Sequence, residues 1–198
     1  MSSRKTPAAL RVMLVDDDAE RLDLMQQAMD ASGHRVVARL SSRDDMSLAV
    51  DRHRPDVILV DVDAPSRDTL ESLGQVTRDR PRPIVLFASQ TDPDTTRRAI
   101  RAGVSAYVVD GMSPARLKSV IEVAIARFDE HQALRREIEN NKIRLADRCD
   151  VESAKAMLMQ RRKLSESDAY ELLRTIAMSR KLKIGDAARA LLTVTELL

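Results

Sequence analysis

The sequence predicts an α/β chain: a five-stranded, doubly wound parallel sheet, then a long linker helix, then a small all-α bundle of three helices. Three observations carry that expectation. Short apolar runs alternate with helix-period segments from residue 10 to residue 109, the order that closes into a parallel sheet covered on both faces. Neither Gly nor Pro occurs between Pro114 and Gly185. Between 151 and 198 the apolar residues form three stripes at helical spacing.

The first strand is expected over 10–15, closed by Asp16, Asp17 and Asp18. Leu22, Met25, Met29 and Ala31 then repeat at helical spacing up to Gly33. A strand over 35–39, a helix over 42–52 and a strand over 56–60 ending at Asp61 follow. Next come a helix over 69–79, a strand over 83–87, a helix over 93–102 and a strand over 106–109. Ser113 and Pro114 are an N-cap and first-turn pair for the helix beyond. Its first part, with Leu117, Ile121, Ala124 and Phe128, is expected to pack on the sheet. The stripe then narrows to Leu134, Ile138, Asn141 and Leu145 at 4-3-4 spacing, along which two helices can zip into a homodimer with Asn141 fixing register. A single solvated helix is the other reading. The three last stripes are Val151, Ala154 and Leu158, then Ala169, Leu172, Leu173, Ile176 and Ala177, then Ile184, Ala187, Ala188, Leu191 and Leu192. The expected domains are therefore 10–128, a coiled-coil linker at 129–147, and 148–198.

Composition narrows the class. Apolar residues make up 43% of the 198, enough for a buried core, while aromatics are 2% and Trp is absent. A core of Leu, Val, Ile, Ala and Met suits helices and buried parallel strands. The net charge of +2 is unevenly divided: residues 1–114 carry 16 Lys/Arg and 18 Asp/Glu, and 115–198 carry 17 and 13. The bias points to a polyanionic partner at the C-terminal part, with a solvated mixed surface as the other reading. The one cysteine, Cys149, excludes an internal disulfide, and no Cys/His spacing suggests a metal cluster. Residues 1–7 lack the apolar core of a signal peptide and the apolar runs are strand-sized, so a cytoplasmic protein without a membrane partner is expected. No phosphate-binding Gly loop and no nucleophile–base pair points to an enzyme.

Ligands of doubly wound sheets gather at the carboxyl ends of the strands, where Asp16, Asp17 and Asp61 stand. Clustered carboxylates repel unless a hard cation lies between them, so Mg²⁺ is the expected ligand of this corner. Leu14 to Asp17, Pro55 to Asp61, Pro83 to Leu86 and Ala102 to Val109 together resemble the receiver domain of two-component response regulators. That resemblance implies a phosphoacceptor at Asp61, with Asp16 and Asp17 helping to hold Mg²⁺. It also implies a lysine after the last strand, where this chain has Asp110, and Ser or Thr at the end of the fourth, where it has Ala88 with Ser89 one residue late. An anion at 110 disfavours a doubly charged phosphate nearby, so a platform for protein contacts competes with a phosphorylated switch. Tyr107 resembles the aromatic that changes rotamer between receiver states; a half-buried strand-edge tyrosine is the alternative. The run 107–111 is similar to NasT-type receivers, which are held by a nitrate- or nitrite-sensing partner protein.

At the C-terminal end, Ala154-Lys155, Leu158-Met159, Leu164 to Glu166, Ala169-Tyr170, Leu173-Arg174, Ala177-Met178 and Lys181-Leu182 resemble the ANTAR family, the RNA-binding helical domain of AmiR- and NasR-type antitermination regulators. Ala156 replaces the family's usual glycine. The resemblance implies binding to stem-loops of a leader transcript, preventing terminator formation. Lys155, Arg162, Arg174 and Lys181 would contact phosphates or loop bases and Tyr170 would stack on an unpaired base, with Arg189 on the same basic side. Lys155 and Arg174 also read as solvent-facing charges, and Tyr170 as a core-edge residue. Ser165 reads as an N-cap with Asp168 completing the turn, and Met157, Met159 and Met178 as core filler. A phosphorylation-dependent regulator with a DNA-binding or protein-docking output is the competing function; no recognition-helix pattern follows the receiver-like part.

Overall fold

The computed structural model describes residues 9–89, 92–109 and 114–196. The chain divides into two compact units, Met1–His131 and Gln132–Leu198. In the first, β1 (Arg11–Val15), β2 (Arg35–Leu40), β3 (Val57–Val62), β4 (Ile84–Ala88) and β5 (Ala106–Val109) pair in parallel in the order β2-β1-β3-β4-β5. The five expected strands are all present, and the doubly wound topology with them.

Period-two alternation sorts each strand between two cores. Met13, Val15, Ile58, Val60, Ile84 and Leu86 face α2 (Met46–His53), α3 (Arg67–Asp79) and α4 (Pro93–Arg101). Val12, Leu14, Val57, Leu59, Val85 and Phe87 face α1 (Ala19–Ala31) and Leu117, Ile121 and Ala124 of α5 (Pro114–Arg162). Strands covered on both faces need continuous apolar runs, which is how β3 and β4 read.

Most element ends fall within two residues of expectation, and two of the differences bear on the site. The helix expected from residue 42 begins at Met46, because Ser41 donates its N–H and hydroxyl to the Asp44 carboxylate and Asp45 caps the helix by accepting from the Leu48 N–H. The third strand runs through Val62, so Asp61 is a paired strand residue opposite Phe87 rather than the first loop residue. At the α4–β5 turn Gly103 has φ +92°, and a Cβ there would collide with the Thr77 side chain, so only glycine fits.

α5 passes unbroken to Arg162; its final segment supplies the first helix of the C-terminal bundle, with α6 (Glu166–Ser179) and α7 (Ile184–Glu196). Ala154, Leu158, Ala169, Leu173, Ala177, Ala187 and Ala188 form the buried core of that unit. So many alanines bring the helices close together. Leu182 donates its N–H to Ala177 O and Lys181 to Met178 O, a Schellman stop for α6 that holds Lys181 at φ +54°. Among the described residues no helix is long and apolar enough to cross a membrane.

Candidate functional site: an acidic corner and a basic bundle

Asp16 follows β1 directly and Asp61 is one step beyond the β1–β3 register pair Val15–Val60, so the two carboxylates share one face at the carboxyl edge of the sheet. Asp16 is 1% exposed and Asp61 5%. The cation beside them comes from α1. Asp18 caps that helix by accepting from the N–H groups of Glu20 and Arg21, which puts Arg21 in the first turn. Helical side chains lean toward the N-terminus, so Arg21 reaches back over the end of β1. Its Nε donates to Asp16 Oδ2 and its Nη2 to Asp16 Oδ1, both at 2.8 Å, and its Nη1 to Asp63 Oδ1 at 3.2 Å. The bidentate bond to Asp16 raises the Arg21 pKa.

Of the three expected Mg²⁺ ligands, Asp16 and Asp61 are neighbours at the sheet edge, and Asp17 is turned to Ser42. Asp16 Oδ1 also accepts from the Asp18 N–H, and Asp17 gives one oxygen to the Ser42 N–H at 2.8 Å and the other to the Ser42 hydroxyl at 2.7 Å. Those Ser42 bonds pull the Asp17 pKa down. Among the described residues no three Asp, Glu, His or Cys side chains are grouped for a metal, so the corner as it stands does not fit a hard cation.

No described residue donates a hydrogen bond to the Asp61 carboxylate, and burial first, then the charge of Asp16, raises its pKa against the opposing pull of Arg21. A raised carboxylate pKa lowers native stability above the folded-state pKa, where the native state holds the charge. Asp61→Asn is accordingly expected to stabilise the first unit at neutral pH by on the order of 1 kcal/mol, in chemical unfolding followed by circular dichroism. That gain should shrink as pH falls from the folded-state pKa of Asp61 toward the ordinary carboxylate value.

Ser89 lies on the Asp61 face of the sheet, one residue beyond β4, but its hydroxyl donates to Asp63 Oδ1 at 3.1 Å. Tyr107 packs against the core under α2, α3 and α4, with its hydroxyl buried and without a partner among the described residues. Asp110 lies outside the described residues. A groove of about 840 Å³ between α3 and α4, edged by Arg78, Arg98 and Arg101, contains none of the corner residues.

In the second unit the predicted cations separate into two kinds. Lys155 buries its stem beside Ala154 and lays its ammonium between two exposed carboxylates, Glu166 at 2.7 Å and Glu152 at 2.9 Å, which raise its pKa in that order. It ties α5 to the first turn of α6. Arg189 is likewise paired with Asp147 and Asp150 at 2.9 Å and Asp186 at 3.5 Å. Arg162, Arg174 and Lys181 are exposed with no ion pair among the described residues. Arg161, Lys163, Arg180 and Lys183 are open too, although the sequence reasoning passed over them; their signal was a cation run at each helix end. Tyr170 is 44% exposed. Of the methionines expected to fill the core, Met157 packs against it, whereas Met159 and Met178 are exposed. Ser165 caps α6, accepting from the Asp168 N–H and donating to its carboxylate.

Comparison with known proteins assigns both parts. Residues 12–122 match the response regulator receiver domain, and residues 139–192 match the ANTAR domain. The chain belongs to the response-regulator receiver family and carries an ANTAR domain. It is 31% identical over 183 residues to the transcriptional regulatory protein PdtaR of Mycobacterium tuberculosis, covering 92% of this chain and 89% of PdtaR. In fold, the first unit is similar to the signal receiver domain of a modulated diguanylate cyclase from Desulfovibrio desulfuricans, at a TM-score of 0.54 and 22% identity over 62% of this chain and 98% of that one. A CheY-like receiver from Methanospirillum hungatei gives 0.54 and 21% over 63% and 99%. Receiver and ANTAR domains are regulatory, and ANTAR is an RNA-binding domain. The acidic corner thus belongs to the receiver domain, and the open cations and Tyr170 belong to the ANTAR domain.

Proposed function

We propose that the chain is an RNA-binding transcription antitermination regulator whose ANTAR bundle grips stem-loops of a leader transcript and keeps a terminator from forming. One observation carries the reading: Arg162, Arg174 and Lys181 stay open on the bundle, Arg174 one helical turn from a half-exposed Tyr170, while Lys155 and Arg189 of the same bundle are taken up by internal carboxylates. Cations without internal partners suit phosphates, and an exposed aromatic suits an unstacked loop base. The protein works as a homodimer along α5, where Leu134, Ile138 and Leu145 are 52%, 55% and 64% exposed with Asn141 in the same stripe. Its control comes from a sensor protein that holds the receiver domain, rather than from phosphate on Asp61. The engagement of Ser89 by Asp63 supports this, since that hydroxyl would otherwise be available to a phosphoryl group. The resemblance to NasT-type receivers rests partly on Asp110 and Gly111, which lie outside the described residues.

A gel-shift with the full chain, comparing hairpin RNA with an RNA duplex and a DNA duplex of equal length, tests the assignment. Preference for the hairpin supports it. Preference for duplex DNA would move the chain to the DNA-binding class, and no binding to any of the three would make the bundle a protein-docking module.

A further inference from the structure

Asp16 of the receiver corner is paired from within. Asp16 has a side chain with no solvent exposure, and a buried carboxylate needs a cation at close range. Arg21 supplies it with both prongs of its guanidinium, the geometry that suits a carboxylate best and that a lysine cannot reproduce. The first turn of a helix is the unfavourable end for a cation, so the placement of Arg21 is explained by what it contacts. Its remaining amino group reaches Asp63, which also accepts from Ser89, so one continuous hydrogen-bonded chain links Asp16 after β1, Arg21 on α1, Asp63 after β3 and Ser89 after β4. Asp17 is held apart by Ser42. A hard divalent ion that draws on Asp16 meets the guanidinium at both oxygens and has to share them with that cation or displace it.

We propose that Arg21 is the resident cation of this receiver domain: it does the electrostatic work otherwise left to Mg²⁺, so that the corner and the β1, β3 and β4 loops are set without a divalent ion. The proposal does not depend on the RNA reading. It rests on how the carboxylate oxygens are occupied, and it assigns to Arg21 a role that the sequence motifs of the corner do not contain.

The test uses the purified full chain, with Mn²⁺ as the probe, followed by electron paramagnetic resonance, and with thermal unfolding in EDTA or millimolar Mg²⁺. The wild-type chain is expected to take up no Mn²⁺ at the corner and to melt at the same temperature in both buffers, since an ion that binds only the native state raises its stability. Arg21→Met is expected to gain one site with affinity at least about tenfold higher, and Mg²⁺ should recover much of its lost melting temperature. Adding Asp16→Asn should abolish the gain, which locates it. Arg21→Lys keeps a charge but loses the two-pronged bond, so it should gain Mn²⁺ to a smaller degree and provides the reading if the methionine variant does not fold. Mn²⁺ bound by the wild type as tightly as by either variant, or a folded Arg21 variant that gains none, overturns the proposal.

Discussion

Alanine at Arg162, Arg174 and Lys181 together is expected to weaken hairpin RNA binding by about 10²-fold at moderate salt, with the melting temperature of the bundle unchanged. All three are exposed and none has an ion pair among the described residues, so truncation takes away a group that can meet the RNA and leaves no internal carboxylate stranded. Removing each phosphate-binding cation should also lower the slope of log affinity against log salt by about 0.7–0.9, giving a total flattening of roughly two to three. Titration of a fluorescent hairpin at several salt concentrations reads both quantities. Lys155→Ala is the contrasting variant. It removes a buried stem and leaves Glu152 and Glu166 facing each other without their cation, so its effect should appear in bundle stability, and in RNA affinity only through the unfolded fraction. A triple variant that binds with unchanged affinity and unchanged salt slope would remove the basic face from the mechanism.

Lys155 and Arg174 show where sequence reasoning stopped. Both lie at helical spacing beside apolar stripes, and periodicity cannot tell a cation that leans on the next helix from one that points to solvent. A signal did exist: Glu152 stands three residues before Lys155, and Glu166 opens the helix that follows, so two acids flank one lysine at a helix corner. The sheet was legible because each buried strand is a run of Val, Ile and Leu, bounded by acids or turn residues, with helix-period segments between. The nearness of Asp16 and Asp61 was legible too, since parallel strands deliver their carboxyl ends to one edge. Arg21 was not, because its role depends on the Asp18 cap and on the backward lean of a first-turn side chain, neither of which leaves a periodic trace. The fate of Ser89 turned on Asp63, a loop residue that no strand pattern places.

Gly185→Ala is expected to destabilise the ANTAR bundle by about 1–2 kcal/mol, opposite in sign to its effect on helix propensity. Gly185 is the second residue of α7, where alanine would ordinarily gain up to about 1 kcal/mol. Here the added methyl would lie 2.5 Å from Asp147 Cγ, 2.6 Å from its Oδ1 and 2.7 Å from its Cβ, the root of the side chain as well as its tip. Either α7 must back away from α5 or Asp147 must swing out, and Asp147 is a carboxylate that Arg189 of α7 holds at 2.9 Å. Both routes loosen the same helix pair, and the second also breaks an ion pair, so crowding outweighs propensity. Chemical unfolding of the Gly185→Ala chain measures the destabilisation. The same substitution in an Asp147→Ala background should cost less, because the crowded carboxylate is gone and the Arg189–Asp147 bond is already broken, and that coupling separates close packing from a helix-wide effect. Hairpin affinity should fall in step with the folded fraction, since α7 shares the Ala187 and Ala188 core that keeps α6, and with it Tyr170 and Arg174, in place.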